Sequence, residues 1–122
     1  MAVAHVKVIV IDCPDPTALA RFYQQVLGGE IENEGRRWVD LHLPDGARLA
    51  FQEAPGFVPP TWSPEHSSLQ QHLDLGVTDI ESAQERVLAL GARPLDLDDD
   101  GGKRDFRVYA DPAGHTFCLI RP

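Results

Sequence analysis

Apolar positions along the chain follow two periods, and the pair of periods occurs twice. Val6–Ile11 is a short run rich in β-branched residues, which suit the half-buried pleat of a strand. Asp15-Pro16 follows, a helix-capping side chain before a residue whose fixed φ fits the first helical turn. Ala18, Leu19, Phe22, Val26 and Leu27 then recur at helical spacing, and Gly28-Gly29 supplies the usual C-terminal stop. The spacing predicts a helix over about Pro16–Leu27. Glu30–Glu32, Trp38–Leu43 and Arg48–Gln52 read as three strands, the last two joined by a tight turn at Pro44-Asp45-Gly46.

The second half repeats this order. His72–Val77 alternates like a strand, and Thr78-Asp79-Ile80-Glu81 has the spacing of a capping box. Ile80, Ala83, Val87 and Leu90 form a helical stripe over about Asp79–Leu90, stopped by Gly91. Arg93–Leu97, Phe106–Ala110 and Thr116–Ile120 supply three more strands, with a turn at Asp111-Pro112-Ala113-Gly114 before the last. Val8 precedes Asp15 by seven residues, as His72 precedes Asp79. The prediction is an α+β fold of two tandem βαβββ modules in a single domain over 1–122. Module one covers about 4–54 and module two about 71–122. The connector, about 55–70, holds Pro55, Pro59, Pro60, Pro64 and Trp62 and reads as stiff rather than flexible.

Composition narrows the partners. Of 122 residues, 19 are acidic and 11 basic, a net charge of −8. That field repels phosphate backbones and anionic bilayers, so neither nucleic acid nor a membrane is an expected partner. The longest aliphatic run, Val8–Ile11, is far too short to span a bilayer, and the N-terminus lacks the pattern of a secretion signal. Two cysteines, Cys13 and Cys118, make no disulfide framework. The expected location is the cytoplasm, with both thiols reduced.

Three stretches carry a resemblance: Asp12-Cys13-Pro14-Asp15-Pro16 with Phe22-Tyr23 and Val26-Leu27-Gly28-Gly29; His72-Leu73-Asp74-Leu75-Gly76-Val77; and Asp111-Pro112-Ala113-Gly114-His115 before Phe117-Cys118-Leu119. In these the chain resembles the vicinal oxygen chelate superfamily, in its glyoxalase-like branch common in bacteria. Other members include glyoxalase I, extradiol dioxygenases, fosfomycin-resistance enzymes and bleomycin-resistance proteins. The resemblance implies a cupped, eight-stranded half-barrel that holds a small molecule, and a homodimer. It also implies up to four metal-ligand positions, one on the first and one on the last strand of each module. Here those positions read Val8, Ala50, His72 and Cys118. Two are apolar, and a divalent ion needs three or four donors. The expectation is therefore a metal-free pocket, with His72 the first ligand should an ion bind.

Strand alternation adds Gln52 and Asp74 to the face of these positions. Arg107 and Tyr109 are expected on the same face as Thr116 and Cys118, with Phe106, Val108, Phe117 and Leu119 toward the helix. Which face of the first-module hairpin lines the cup stays open. Trp62 offers an aromatic wall, or simply packs the connector down. The ligand-binding set is thus His72, Gln52, Asp74, Arg107, Tyr109, Trp62 and Cys118. Each has a plainer role: a hydrogen-bonded histidine, or a small buried hydrophobe at Cys118. The acidic run Asp96, Asp98, Asp99, Asp100 reads as a solvated loop. Two functions remain. One is a glyoxalase-like binder of a cationic or aromatic compound. The other is a divalent-metal lyase, isomerase or dioxygenase built on His72 and its neighbours.

Overall fold

A computed structural model describes all 122 residues. The chain divides into two compact units, Met1–Phe57 and Val58–Pro122. The first holds β1 (Ile9–Cys13), α1 (Pro16–Leu27), β2 (Glu30–Glu32), β3 (Trp38–His42) and β4 (Arg48–Glu53). The second holds β5 (Leu73–Gly76), α2 (Ile80–Ala89), β6 (Arg93–Asp96), β7 (Phe106–Ala110) and β8 (Thr116–Ile120). Each unit is a four-stranded mixed sheet with one helix, and the strand orders correspond: β1-β4-β3-β2 and β5-β8-β7-β6. The first strand of each unit pairs in parallel with the last, and the other pairings are antiparallel. The α+β fold of two tandem βαβββ modules is as the sequence predicts.

Both helices start on the expected aspartates. Asp15 accepts a hydrogen bond from the Ala18 amide, and Asp79 accepts from those of Glu81 and Ser82. These caps satisfy amides that have no intrahelical partner. In α1, Leu19, Phe22 and Tyr23 are buried against β3 and β4, and Tyr23 stacks on Phe51 with ring centroids 5.8 Å apart. Burying side chains of this size stabilises the fold by about 2 kcal/mol each. The first strand begins at Ile9 rather than Val6, which is largely exposed.

The hairpins fix which side chains meet the helices. In one, the Leu43 amide donates to the Ala47 carbonyl at 2.8 Å; in the other, Asp111 donates to His115 at 2.7 Å. Each therefore encloses three residues, ending on a left-handed glycine, Gly46 (φ 94°) or Gly114 (φ 96°). Three-residue hairpin loops take this form. The resulting register pairs Val39 with Phe51 and Leu41 with Leu49 toward α1. In the second unit it pairs Arg107 with Leu119 and Tyr109 with Phe117.

The second pairing corrects the expected faces. Arg107 and Tyr109 lie on the α2 side, and Phe106 and Val108 share the opposite, open side with Thr116 and Cys118. Treating Asp111–Gly114 as the whole turn slips the register by one residue, and one residue inverts every side chain. Polar groups are tolerated beneath α2 because they are satisfied there. Arg107 donates to Asp99, Gln84 and Glu81 at 2.9, 3.1 and 2.6 Å, and the Tyr109 hydroxyl donates to Gln84 at 2.7 Å. Arg121 also pairs with Asp99. The Arg107 bond holds both Glu81 and Asp99 below the ordinary carboxylate range. Asp99 is buried, so the acidic run is not simply solvated: Asp96 pairs with Arg104, and Asp99 ties the loop to β7.

Gly29 is where β2 comes against β3. A Cβ built there would lie 2.2 Å from the His42 carbonyl oxygen, whereas one at Gly46 meets nothing within 4 Å. Both residues have positive φ. Gly46→Ala is expected to cost about 1 kcal/mol, the left-handed backbone alone. Gly29→Ala adds a backbone collision and is expected to cost about 2 kcal/mol more. Urea unfolding at unchanged m measures both; equal losses would contradict the close approach.

Candidate functional site

The open face of the second sheet gathers chemistry near the start of β5. Asp74 and Val108 both pair with Cys118, so the three form one row across the sheet. His72 immediately precedes β5, whose pairing with β8 begins at Leu73 with Phe117. His72 and Asp74 are two residues apart and project to one side. His72 Nε2 lies 3.1 Å from Asp74 Oδ1, with the two side chains 41% and 58% exposed. The donor atoms of His72, Asp74 and Cys118 all fall within 4.8 Å of one another. A carboxylate at this distance orients the imidazole and leaves its other ring nitrogen available to a ligand.

Cys118 is buried. Burial, with the Asp74 carboxylate beside it, pushes the thiol up to about 11. At neutral pH it is a protonated thiol rather than a nucleophile. Nitrogen, oxygen and sulfur donors at this separation fit a three-ligand site for a borderline ion such as Zn(II), leaving a fourth position open. Such an ion would have to displace the thiol proton. The set falls short of four protein ligands. Val10 and Ala50 pair with each other in the row matching Asp74 and Cys118, and Val8 stands where His72 does. None can coordinate.

The other candidates lie elsewhere. Gln52 is exposed on the open face of the first sheet, in a row with Asp12 and Trp38. Trp62 sits in the connector, bridged to Ser67 within a loop closed by hydrogen bonds between Thr61 and Ser68. Arg107 and Tyr109 belong to the α2 side, where burial pushes the Tyr109 phenol up to about 12. The structure therefore brings together three of the seven residues.

It also shows a polar group that the sequence left unplaced. With Val39 and Leu41 toward α1, the open face of the first sheet carries Trp38, Asp40 and His42. Asp40 is only 4% exposed; its two oxygens accept from Asn33 at 2.8 Å and from Trp38 Nε1 at 2.9 Å. Burial pushes its carboxyl upward, but these bonds, with Arg48 and His42 nearby, outweigh that and hold it below the usual range. His42 lies 3.4 Å from Glu32. The alternation of Trp38, Asp40 and His42 is visible in the sequence, and the loop ending at Gly46 is the signal that decides their side.

A family model described as a glyoxalase-like domain matches residues 8–120. No curated protein sequence matches the chain. Among solved structures, the chain is similar to a glyoxalase-related enzyme from Fulvimarina pelagi, with 22% identity, TM-score 0.70, and 98% of this chain and 89% of that one covered. It is also similar to a fosfomycin resistance protein, FosX, from Listeria monocytogenes, whose structure holds Mn(II) and a dihydroxypropylphosphonic acid. There the identity is 14% and the TM-score 0.71, with 98% and 93% of the chains covered. A third, a glyoxalase/bleomycin resistance protein/dioxygenase family enzyme from Burkholderia phytofirmans, has 18% identity, TM-score 0.68 and coverage of 97% and 98%. At these identities the likeness is one of fold.

The state of Cys118 has two measurable consequences. At pH 8 its alkylation in the folded chain is expected to be about a hundredfold slower than that of a free thiol, because the thiolate fraction falls with the raised pKa. Folding also raises this pKa, so the folded state holds the proton more tightly. That contribution to stability is complete below about pH 8.5 and is lost as the pH rises toward the folded value of about 11. Urea midpoints between about pH 8.5 and 10 should fall in the native chain and be flatter in Cys118→Ala. Equal slopes would mean that the thiol is not held protonated.

Proposed function

The chain belongs to the glyoxalase-like domain family, and from that premise we propose that it binds a small molecule through His72 and Asp74 without a resident metal. The observation that carries this reading is the half-exposed imidazole–carboxylate pair at 3.1 Å on an open sheet face. The pair offers a ligand one oriented ring nitrogen and one carboxylate, with Cys118 behind them as a neutral thiol. The second unit brings together three donors, one short of a closed four-ligand site, which supports a site that works without an ion. The net charge of −8 favours a cationic or aromatic ligand over an anionic one. Trp62, in the same unit, is kept as a secondary contact; Gln52 lies in the first unit, and Arg107 and Tyr109 are fully engaged beneath α2.

The three-donor geometry favours a second reading, a divalent-metal lyase, isomerase or dioxygenase. His72, Asp74 and Cys118 would hold the ion, which would supply Lewis acidity to a bound oxygen. One experiment separates the two. Untagged protein, prepared without chelators and dialysed, is assayed for metal and then screened by thermal shift against aromatic and cationic compounds. The expected result is no stoichiometric metal, together with a ligand-induced rise in Tm that His72→Ala abolishes while leaving the ligand-free Tm nearly unchanged. Retained stoichiometric metal would favour the second reading. A ligand shift that survives His72→Ala would remove His72 from the site.

No helix is long and apolar enough to cross a membrane. Two free, buried cysteines support a cytoplasmic protein. The proposal includes a homodimer. β1 is an edge of its own sheet, and Ile9 and Val10 on it are 46% and 39% exposed. An exposed apolar edge is normally covered by a partner. Light scattering should give a mass near 27 kDa, twice the 13.5 kDa chain; a single 13.5 kDa species across the micromolar range would contradict the dimer.

A further inference from the structure

Beyond Asp74, the open face of the second sheet continues into a row that is apolar and reachable. Gly76 pairs with Ile120 across β5 and β8, and Ile120 pairs with Phe106 across β8 and β7. Alternation along β5 puts Gly76 on the same side as Asp74. Gly76 is exposed, and Ile120 and Phe106 are partly exposed. In the neighbouring row Cys118 and Val108 are buried, so the accessible surface follows β5 from Asp74 to Gly76 and then crosses toward Phe106.

Nothing in the fold requires glycine at position 76. Its φ is not in the left-handed region, and a Cβ built there meets no atom within 4 Å. The ladder continues past it, with the Val77 amide donating to the Ile120 carbonyl at 3.0 Å. A residue in this setting gains strand stability from a side chain, and β-branched ones gain most. Glycine in a strand with no bend or bulge to serve marks a place where another group comes close. The charges around the row are unequal. At the Phe106 end, Arg104 lies over the ring, 4.4 Å from its centroid, and is balanced by Asp96 at 3.0 Å. At the β5 end stands Asp74, 58% exposed.

We infer that Gly76 is a specificity position: the space above it receives the aromatic ring of a ligand whose ammonium group pairs with Asp74. The inference rests on the role proposed for His72 and Asp74, and it narrows the ligand to one that is both cationic and aromatic. The dimensions of the sheet suit such a molecule. Alternate residues on a strand lie about 6.7 Å apart and adjacent strands about 4.8 Å. A ring joined to an ammonium by one carbon therefore covers Gly76 and Ile120 while the nitrogen stays at Asp74. The ammonium gains a charge-assisted bond, and the ring removes apolar surface from water. Any side chain at position 76 would take the space of the ring.

Benzylammonium, methylammonium and benzyl alcohol separate the two halves of the ligand. Their affinities are read by NMR titration on the amides of Leu75, Val77 and Ile120, which every variant keeps. Benzylammonium is expected to bind saturably and at least about tenfold more tightly than either other probe. Gly76→Val should weaken it at least about tenfold, and Gly76→Ala by less. Both variants should unfold at the native Tm or above, whereas a glycine needed by the fold would give a lower Tm. His72→Ala and Asp74→Asn should each weaken benzylammonium. If circular dichroism shows that Gly76→Val does not fold, Gly76→Ala decides alone, and native affinity there overturns the inference. Native affinity in Gly76→Val with binding lost in His72→Ala would overturn the role of Gly76 and leave that of His72 standing. Binding that survives both His72→Ala and Asp74→Asn would overturn both. Equal affinity for methylammonium or benzyl alcohol, no saturable binding of benzylammonium, or a lower Tm in Gly76→Ala would overturn the inference on its own.

Discussion

Two loops of three residues, Pro44–Gly46 and Pro112–Gly114, set the pairing of the last two strands in each half of the chain. Because side chains alternate along a strand, this pairing also decides which residues meet a helix and which face outward. In the first unit it sends Val39, Leu41, Leu49 and Phe51 to α1 and leaves Trp38, Asp40, His42 and Arg48 on the open side. In the second it sends Tyr109 and Phe117 inward, stacked at 5.5 Å, and leaves Cys118 outward beside Asp74. The left-handed glycine at the end of each loop is what permits the geometry. The makeup of both faces is thus a consequence of turn chemistry several residues away.

The two faces of the second sheet treat charge differently. Under α2, Arg107 is raised above its ordinary pKa by its bond to Glu81, against the opposing effect of burial, and Asp99 shares it with Arg121. Every charge there has a partner, as burial requires. On the open side, His72 and Asp74 are half exposed and pair with each other, with Cys118 beside Asp74. Paired charges under a helix hold shape, whereas a half-exposed pair can accept a ligand. This contrast separates Arg107 and Tyr109 from the site, although all four side chains are polar.

Most of the fold was legible because periodicity and punctuation agree. The span of α1, Pro16–Leu27, follows from its capping aspartate, its Pro and its closing glycines, and β7 and β8 follow from their β-branched and aromatic runs. The duplicated spacing revealed the tandem modules. Of the site, His72, Asp74 and Cys118 were legible as a local alternation plus a long-range match between modules. Arg107 and Tyr109 were misplaced because a loop length uncertain by one residue inverts a strand. The partners of Arg107 were hidden for a different reason: Glu81, Gln84 and Asp99 come from a helix and a loop whose approach no local pattern encodes. The Asp40 group went unplaced because both faces of Trp38–His42 carry plausible core residues.

The composition of both faces of the second sheet depends on the register of β7 with β8, and proton NMR reads that register directly. The Asp111–His115 closing bond makes the next pair, Ala110 with Thr116, and then Val108 with Cys118, the close non-hydrogen-bonded pairs of the ladder. Strong Hα–Hα contacts are expected between Ala110 and Thr116 and between Val108 and Cys118. Contacts instead between Val108 and Phe117, or between Arg107 and Cys118, would put Arg107 and Tyr109 on the open face and contradict the site described for His72, Asp74 and Cys118.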